Sequence, residues 1–533
     1  MSTPAVRSSR RFFLSRVVAP ASIALVAACA PAAPQVSPTS PPAGATVAPA
    51  APIQSGPSGT LNIGVTTEPG TLDAQFANGV NEYMVTINVM DGLVVFGPDL
   101  TIQPLLAETY RQVDDTTWEF KLRQGVKFHN GEQLTADAVK ASFDRTRDTS
   151  LKIRNPWADE INLADIEILD PLMFRFHTSA PTPQMLSRLA KDYPIYPPGY
   201  LGSTAATSVA RKAIGTGAYM LKEWVTGDHI TLEANPEYWG TPKPSIKTVV
   251  WRWIPEHTTR LDNLRTGAID IMTSLDPSSI DGVNANSSTQ AVVIRGGRRV
   301  YVGFKTTAQQ FQDVRVRQAL NYGADIESIC KTIFSGATER MPTWSNPPYV
   351  NPDVKGYSYD PAKAKQLLQD AGYGQGFEMM WDVDSGGYLK SEEFPPALAN
   401  SLRGIGVNLS IRKVESNVAA QEQKDRKTSP MYLRSNTAQY DAGLDFDVWR
   451  FDHAGNATLW NDAEFGSLLK QMYSGGTPDQ RQQWSYQAQV RLSEQAPMLF
   501  LWKQPELYAI NKKVQGFKPN GTERFMLNTV SVA

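Results

Sequence analysis

The sequence has little of the material from which metal sites and disulfide frameworks are built. Its 533 residues include only two cysteines and five histidines. Two thiols can form neither a disulfide framework nor a tetrahedral thiolate zinc site. No two histidines have the one-turn spacing that helical metal motifs require. We therefore expect neither a metal site nor a cofactor.

The sequence also lacks a charge of one sign and a long apolar run. Lysine and arginine number 52, against 53 aspartates and glutamates, which argues against a broad nucleic-acid-binding surface. No apolar run reaches the roughly 20 residues of a membrane-spanning helix, so a multispanning membrane protein is excluded. The length allows about three domains of roughly 150 residues each.

Familiar catalytic signatures are missing as well. The sequence contains no GxxxxGK[ST], HExxH, CxxC or GxSxG. SxxK occurs at Ser328 and Ser467, but both copies lie in amphipathic helical patterns without the SDN and KTG of penicillin-recognising enzymes. Cys330 is predicted to be a small core residue. We expect a protein that is not an enzyme, although a glycosidase-like pair of carboxylates stays open at this point.

What the sequence does contain begins with an export signal. Four arginines and no acidic residue precede an apolar stretch at residues 17–28. A basic region, a short apolar region and then small residues are typical of a signal peptide, which we place at residues 1–28. Arg10 and Arg11 fit either a twin-arginine signal or the basic region of a general secretion signal.

The end of this signal resembles the lipobox of bacterial lipoproteins. Val26-Ala27-Ala28-Cys29 closes the apolar stretch, and the resemblance implies cleavage before Cys29 and a lipid on its sulfur. The uncharged, proline- and alanine-rich residues 29–59 cannot bury a core and are predicted to be an extended tether. We expect an extracytoplasmic, lipid-anchored protein, in the periplasm or on the outer face of the cytoplasmic membrane.

The remaining body mixes strand and helix signals. Trp118, Phe120 and Leu122 alternate with polar residues, which predicts a half-buried strand. Strands are also predicted at residues 60–65 and 230–233, and a hairpin at residues 166–176. Asp360-Pro361 and Thr477-Pro478 each pair a capping residue with a first-turn proline, so a helix should follow each. Such a mixture predicts an α/β architecture.

Six ordered blocks of the body carry a resemblance to a known family. They are residues 107–139 (a hairpin and a helix start), Gly215-Thr216-Gly217-Ala218-Tyr219, Asn235-Pro236-Glu237-Tyr238-Trp239-Gly240, Arg260-Leu261 with residues 267–271, residues 313–320 and residues 359–373. In this order the blocks resemble the solute-binding proteins of ABC importers, family 5, the peptide- and nickel-binding class.

The resemblance implies a two-lobed, hinged periplasmic-binding-protein fold, type II-like, with an extra inserted lobe. We place lobe I at residues 60–98, 214–299 and 505–533, the inserted lobe at 99–213 and lobe II at 300–504. In the family, a ligand binds between lobes I and II, which close around it and present it to a membrane permease. We expect a monomer with a small-molecule or peptide ligand, permease subunits and a membrane as partners, and no nucleic acid.

The resemblance also suggests residues for the ligand site. In peptide-binding members, an aspartate after a tryptophan-containing strand of lobe II holds the α-amino group of the peptide, and Asp452 after Trp449 takes that place here. His453 beside it is a candidate contact for a metal chelate. Candidates for the walls and for a strand edge that pairs with an extended ligand are Trp344, Trp449, Tyr301, Gly303, Phe304 and Tyr83.

We therefore expect a binding protein for import, with a peptide as its ligand. The same family leaves open a metal chelate, an opine-like conjugate or an oligosaccharide. Outside it, a lipid-anchored extracytoplasmic hydrolase and a signalling or chaperone role on the same fold are the alternatives. Turnover of a bound compound would indicate the hydrolase, and neighbouring permease genes would indicate import.

Overall fold

The computed structural model describes residues 56–77, 79–203 and 209–533. The predicted signal peptide, Cys29 and most of the predicted tether lie outside the described residues. Within those residues, no helix combines the length and the apolar character needed to cross a membrane.

The strands of the described residues are numbered in chain order. They are β1 Ser58–Val65, β2 Val94–Phe96, β3 Ile102–Pro104, β4 Ala107–Asp114, β5 Thr117–Leu122, β6 Leu163–Asp170, β7 Met173–Thr178, β8 Tyr219–Val225, β9 His229–Ala234, β10 Ile246–Trp253, β11 Ile271–Thr273, β12 Thr289–Ile294, β13 Arg299–Phe304, β14 Phe377–Ser385, β15 Val407–Glu415, β16 Met431–Asn436, β17 Met498–Lys503, β18 Glu506–Asn511, β19 Val514–Gln515 and β20 Ser531–Val532.

The α-helices of the same residues are numbered in the same way. They are α1 Val80–Val89, α2 Ala136–Arg145, α3 Trp157–Glu160, α4 Met185–Asp192, α5 Pro198–Ser203, α6 His257–Thr266, α7 Ile280–Ala285, α8 Gln309–Gln312, α9 Val314–Gly323, α10 Ile326–Thr332, α11 Pro361–Asp370, α12 Phe394–Arg403, α13 Ser416–Lys424, α14 Ala463–Ser474 and α15 Pro478–Gln495. Short 3-10 helices lie at Thr149–Leu151, Pro277–Ser279 and Leu444–Trp449.

Three larger sheets organise the body. A seven-stranded sheet has the order β12-β18-β11-β1-β10-β9-β8, and a five-stranded sheet has the order β15-β14-β16-β13-β17. A four-stranded antiparallel sheet, β4-β5-β7-β6, is built within residues 107–178. We refer to these sheets with their packed helices as the first lobe, the second lobe and the inserted lobe. The expected mixed α/β architecture is present, whereas the exact lobe bounds stay a prediction.

Local sequence signals were correct at most of the helix starts. Asp360 caps α11 by accepting a hydrogen bond from the Lys363 N–H, and Thr477 forms a capping box with Gln480 at the start of α15. Each of these two caps satisfies backbone donors that a helix leaves unpaired at its start. Thr135 occupies the predicted position before α2, but its side chain makes no capping hydrogen bond.

Hydrophobic burial ties the inserted lobe to the first lobe. The stacked rings of Phe120 and Phe174, with centroids 5.3 Å apart, belong to the same apolar cluster as Ile63 and Trp251 of the seven-stranded sheet. The second lobe has separate apolar clusters on the two faces of its sheet. Cys330 is buried in one of these clusters, as predicted, and burial raises the pKa of its thiol to about 12.

Two chain crossings join the first and second lobes. One leads from β12 to β13 and the other from β17 to β18, and the Gln504 N–H donates to the Arg298 carbonyl across them at 2.8 Å. A Cβ atom at Gly296 would lie 2.0 Å from the Gln504 carbonyl oxygen, so this close approach requires glycine. The two crossings therefore form one narrow hinge between the lobes.

Candidate ligand site

The ligand site is expected where parallel strands end, because open α/β sheets bind ligands outside the carboxyl ends of their strands. In the second lobe, β14 runs parallel to both β15 and β16. The loop after β14 reaches the first lobe, where Lys390 Nζ lies 3.0 Å from Asp276 Oδ2. The Leu389 N–H donates to the Gln504 side chain at the hinge, at 3.2 Å. This edge of the second sheet thus faces the first lobe.

Charged and phenolic groups meet at this edge, and we refer to Asp384, Tyr388 and Arg434 as the second-lobe cluster. The register pairs Asp382 of β14 with Tyr432 of β16, and Asp384 and Arg434 follow two residues further along these two strands. The Tyr388 hydroxyl lies close enough to Asp384 and Arg434 for both charges to affect its pKa. The cluster therefore places the Asp384 carboxylate and the Arg434 guanidinium near the Tyr388 hydroxyl.

The three side chains of the cluster differ in their burial, protonation and ion pairing. Asp384 is buried and accepts a hydrogen bond from the Ser416 hydroxyl. Burial raises the pKa of Tyr388 to about 12, against the opposing charge of Arg434, so the phenol is neutral at pH 7. Among the described residues, Arg434 has no carboxylate within ion-pair distance, although the side chain is only partly exposed. Arg434 therefore offers a guanidinium to an anionic group of a ligand.

The first lobe contributes an aromatic and cationic wall. Tyr83 lines a cavity of about 200 Å³ together with Arg298 and Thr437 of the second-lobe side and Arg524 of the C-terminal segment. The Arg524 guanidinium lies 4.7 Å from the centre of the Tyr83 ring, and the Tyr83 hydroxyl donates to the Ala77 carbonyl at 3.1 Å. The structure thus places Tyr83 where the two lobes face each other.

Three predicted wall residues form a buried aromatic triad within the second lobe. Tyr301, Trp344 and Trp449 have ring centroids 5.0–5.5 Å apart, and all three side chains are buried. The Trp344 indole N–H donates to the Asp445 carbonyl. In this conformation the three rings belong to the lobe's core, and their contact with a ligand stays a prediction.

The structure leaves no free strand edge at Tyr301, Gly303 and Phe304, and their contact with a ligand stays a prediction. These residues lie in β13, which is paired with β16 on one side and β17 on the other, so its main chain has no free edge for an added strand. Phe304 packs against Phe311 in the apolar core, and the Tyr432 ring covers Gly303. Sequence alone could not show this because strand order within a sheet is not a local property.

The segment around Asp452 also differs from the expected strand. Trp449 ends the 3-10 helix Leu444–Trp449, and Asp452 follows it in a turn with 71% of its side chain exposed. The carboxylate lies 2.7 Å from the Arg450 guanidinium, whose hydrogen bonds hold the pKa of Asp452 below its usual range. Asp452 lines a cavity of about 370 Å³, but residues 449–473 of the second lobe alone form that cavity.

His453 has local partners as well. Its Nδ1 accepts the Gly455 N–H at 2.9 Å, and its Nε2 lies 3.4 Å from Asp447 Oδ2. Within the part of the chain that the structure describes, no group of three or more histidines, cysteines and carboxylates could hold a metal ion. Contacts of Asp452 and His453 with a ligand stay predictions, and neither residue lies with the second-lobe cluster.

Sequence reasoning missed Asp384 and Arg434. Each is a charged residue that follows apolar residues in its strand, Asp384 just before Gly386-Gly387 and Arg434 after Met431-Tyr432-Leu433. A buried charge in such a strand is costly unless it pairs with another protein group or with a ligand. This signal was available in the sequence, but only the sheet order shows that the two charges are neighbours.

Comparisons with known proteins agree with this architecture. A family model described as "Bacterial extracellular solute-binding proteins, family 5 Middle" matches residues 101–458. The glutathione-binding protein GsiB of Salmonella paratyphi A is 25% identical over 479 residues, which cover 84% of this chain and 89% of that protein.

Solved structures give the same result. HbpA2 of Haemophilus parasuis aligns with a TM-score of 0.81 at 23% identity, covering 89% of this chain and all of that one. The binding protein AgaA of A. tumefaciens R10, solved with agropinic acid, aligns with a TM-score of 0.72 at 25% identity, covering 89% of this chain and 99% of that one. The two-lobed fold expected from the sequence is thereby confirmed.

Proposed function

The chain belongs to the bacterial extracellular solute-binding proteins of family 5, and from this premise we propose that its solute is a peptide held in the cleft by the second-lobe cluster. Members of the family are binding proteins and not enzymes, and the chain is the substrate-binding component of an ABC importer that acts outside the cytoplasm. The proposal concerns which solute is captured and how the cleft holds it.

The observation that carries the proposal is that Asp384 and Arg434 both lie near Tyr388, at the carboxyl ends of the parallel strands β14 and β16. A peptide has an ammonium at one end and a carboxylate at the other, and both must leave water when the lobes close. Buried charges need partners of opposite sign. Arg434, which has no ion-pair partner among the described residues, suits the carboxylate, and Asp384 suits the ammonium.

The ligands named for two relatives support a solute that carries a carboxylate. GsiB is described as binding glutathione, a tripeptide that carries both charges. A second candidate is an opine-like conjugate, because AgaA was solved with agropinic acid at 25% identity to this chain. Both candidates present a carboxylate, so both would use Arg434. A peptide with a free amino end would also need Asp384.

The proposal is tested by asking whether the protein binds peptides and releases them chemically unchanged. We expect peptides with free termini to raise the melting temperature, with about 2.7 kcal/mol of stabilisation at a hundredfold excess over Kd. Sugars and metal chelates, screened in parallel by thermal shift, should have no effect. The best ligand should be recovered from the protein chemically unchanged. Stabilisation by sugars or chelates alone, or recovery of a cleaved ligand, would contradict the proposal.

We further propose that the mature protein is a monomer anchored through a lipid on Cys29, beyond which the tether lets the body work away from the membrane. The support is the apolar stretch that ends at Val26-Ala27-Ala28-Cys29 and the uncharged segment after it. A single acyl chain anchors only marginally, so firm attachment needs more than one. In fractionated cells, wild type should sediment with the membranes and Cys29→Ala should not. Equal distribution of the two forms would exclude the lipoprotein.

A further inference from the structure

A second cavity lies directly at the hinge. It has a volume of about 410 Å³ and is lined by Gly297 on one crossing and Lys503 at the other. Residues 336–342 of the second lobe, Tyr440 and Leu100 complete most of its wall. The cleft cavity around Tyr83 has none of these residues in its lining. Asp384, Tyr388 and Arg434 do not line the hinge cavity either, so it is separate from the proposed peptide site.

Lys503 is an uncompensated charge in this cavity. Its ammonium donates to the Ser345 carbonyl at 2.8 Å, and no carboxylate of the described residues lies within ion-pair distance of it. Burial lowers the pKa of Lys503 to about 8, so at pH 7 the group is still mostly charged. The Lys503 side chain is only partly exposed to water, and a partly desolvated charge without a counter-charge is unfavourable. The ammonium also has hydrogen-bonding capacity left, because it carries three donors.

The neighbouring charges do not neutralise Lys503. Asp445 is paired with Arg299 at 3.0 Å and also accepts the Gln439 N–H. Arg340 donates to backbone carbonyls, among them that of Asn321 at 2.8 Å. Arg295 and Glu339 pair with each other at 2.8 Å, and both are largely exposed. The balance of the buried groups is positive, which favours an anion in the cavity.

The rest of the lining is mainly apolar. Met341, Pro342, Pro347 and Val350 line the cavity beside Ala337. Four charged side chains also line the cavity, namely Arg295, Glu339, Arg340 and Lys503. Mainly apolar walls with a few polar or charged groups are the usual composition of a site for a small organic ligand. We propose that the hinge cavity binds a small carboxylate with an apolar body, its carboxylate on the Lys503 ammonium and its hydrocarbon part against these side chains.

Benzoate and its uncharged isostere benzamide test the proposal. Titrated by calorimetry into wild-type protein at pH 7, benzoate should bind at least about tenfold more tightly than benzamide, since only benzoate can pair with Lys503. Lys503→Met keeps most of the side-chain volume and removes the charge. The difference between the two compounds should disappear in this variant.

Two further variants complete the test. Ala337→Phe adds a ring to the cavity wall without touching Lys503, and should weaken both compounds. Lys331→Met removes an exposed lysine of α10 that does not line the cavity, and should bind both as wild type does. Thermal melts establish that each variant is folded. No binding of benzoate to wild type, or unchanged binding in both folded cavity variants, would overturn the proposal.

Discussion

Replacing Asp445 with alanine should destabilise the protein by about 3–5 kcal/mol, because it leaves the Arg299 guanidinium buried without its counter-charge. Both side chains are 0% exposed, and the two groups lie 3.0 Å apart. The Asp445 carboxylate also accepts the backbone N–H groups of Gln439 and Asn346. Its loss therefore removes the anchors of two loops next to the hinge. Urea unfolding at pH 7, followed by tryptophan fluorescence, measures the change.

A surface ion pair provides the matched control. Lys413 and Glu392 pair on the second lobe with side chains 64% and 55% exposed. Exposed pairs contribute at most about 1 kcal/mol, so Glu392→Ala should have a small effect. If Asp445→Ala costs no more than Glu392→Ala, the buried pair does not stabilise the fold. A double variant, Asp445→Ala with Arg299→Met, should recover part of the loss because it removes the orphaned charge.

The second large effect is expected on solute binding. Arg434→Met should weaken peptides with a free carboxyl end by about 2–5 kcal/mol, the typical loss for one partner of a buried charge pair. Peptides amidated at the carboxyl end should bind poorly to wild type and change little in the variant, since they cannot form the pair. Calorimetric titration of both peptide forms against both proteins gives the four affinities that are needed.

Two other variants separate the second-lobe cluster from the surface turn near Asp452. Arg450→Met removes an arginine that already pairs with Asp447 and Asp452, and should leave acid and amide peptides unaffected. Asp384→Asn and Asp452→Asn compare the two candidate partners of the peptide's ammonium. Loss of affinity in Asp452→Asn alone would support the sequence-based prediction and move the site away from Asp384. Equal affinities of wild type for acid and amide peptides would exclude the role of Arg434.

The sequence by itself determined the family, the class of fold and many local elements. Ordered blocks such as Gly215-Thr216-Gly217-Ala218-Tyr219 led to the family that the comparisons confirm. Alternation at Trp118, Phe120 and Leu122 gave a real strand, and Asp360 and Thr477 gave real helix starts. These signals are local: a cap or an alternating strand depends on residues a few positions apart.

Tertiary structure decided which residues meet in the cleft. Whether β13 has a free edge depends on which strands flank it, and the flanking strands β16 and β17 come from distant parts of the chain. The same sheet order brings Asp384 and Arg434 near Tyr388, whereas Asp452 lies in an exposed turn with Arg450. The hinge cavity likewise exists only because two crossings pack together. A sequence pattern predicts which face of an element is buried, but the partner on that face is set by packing over long sequence separations.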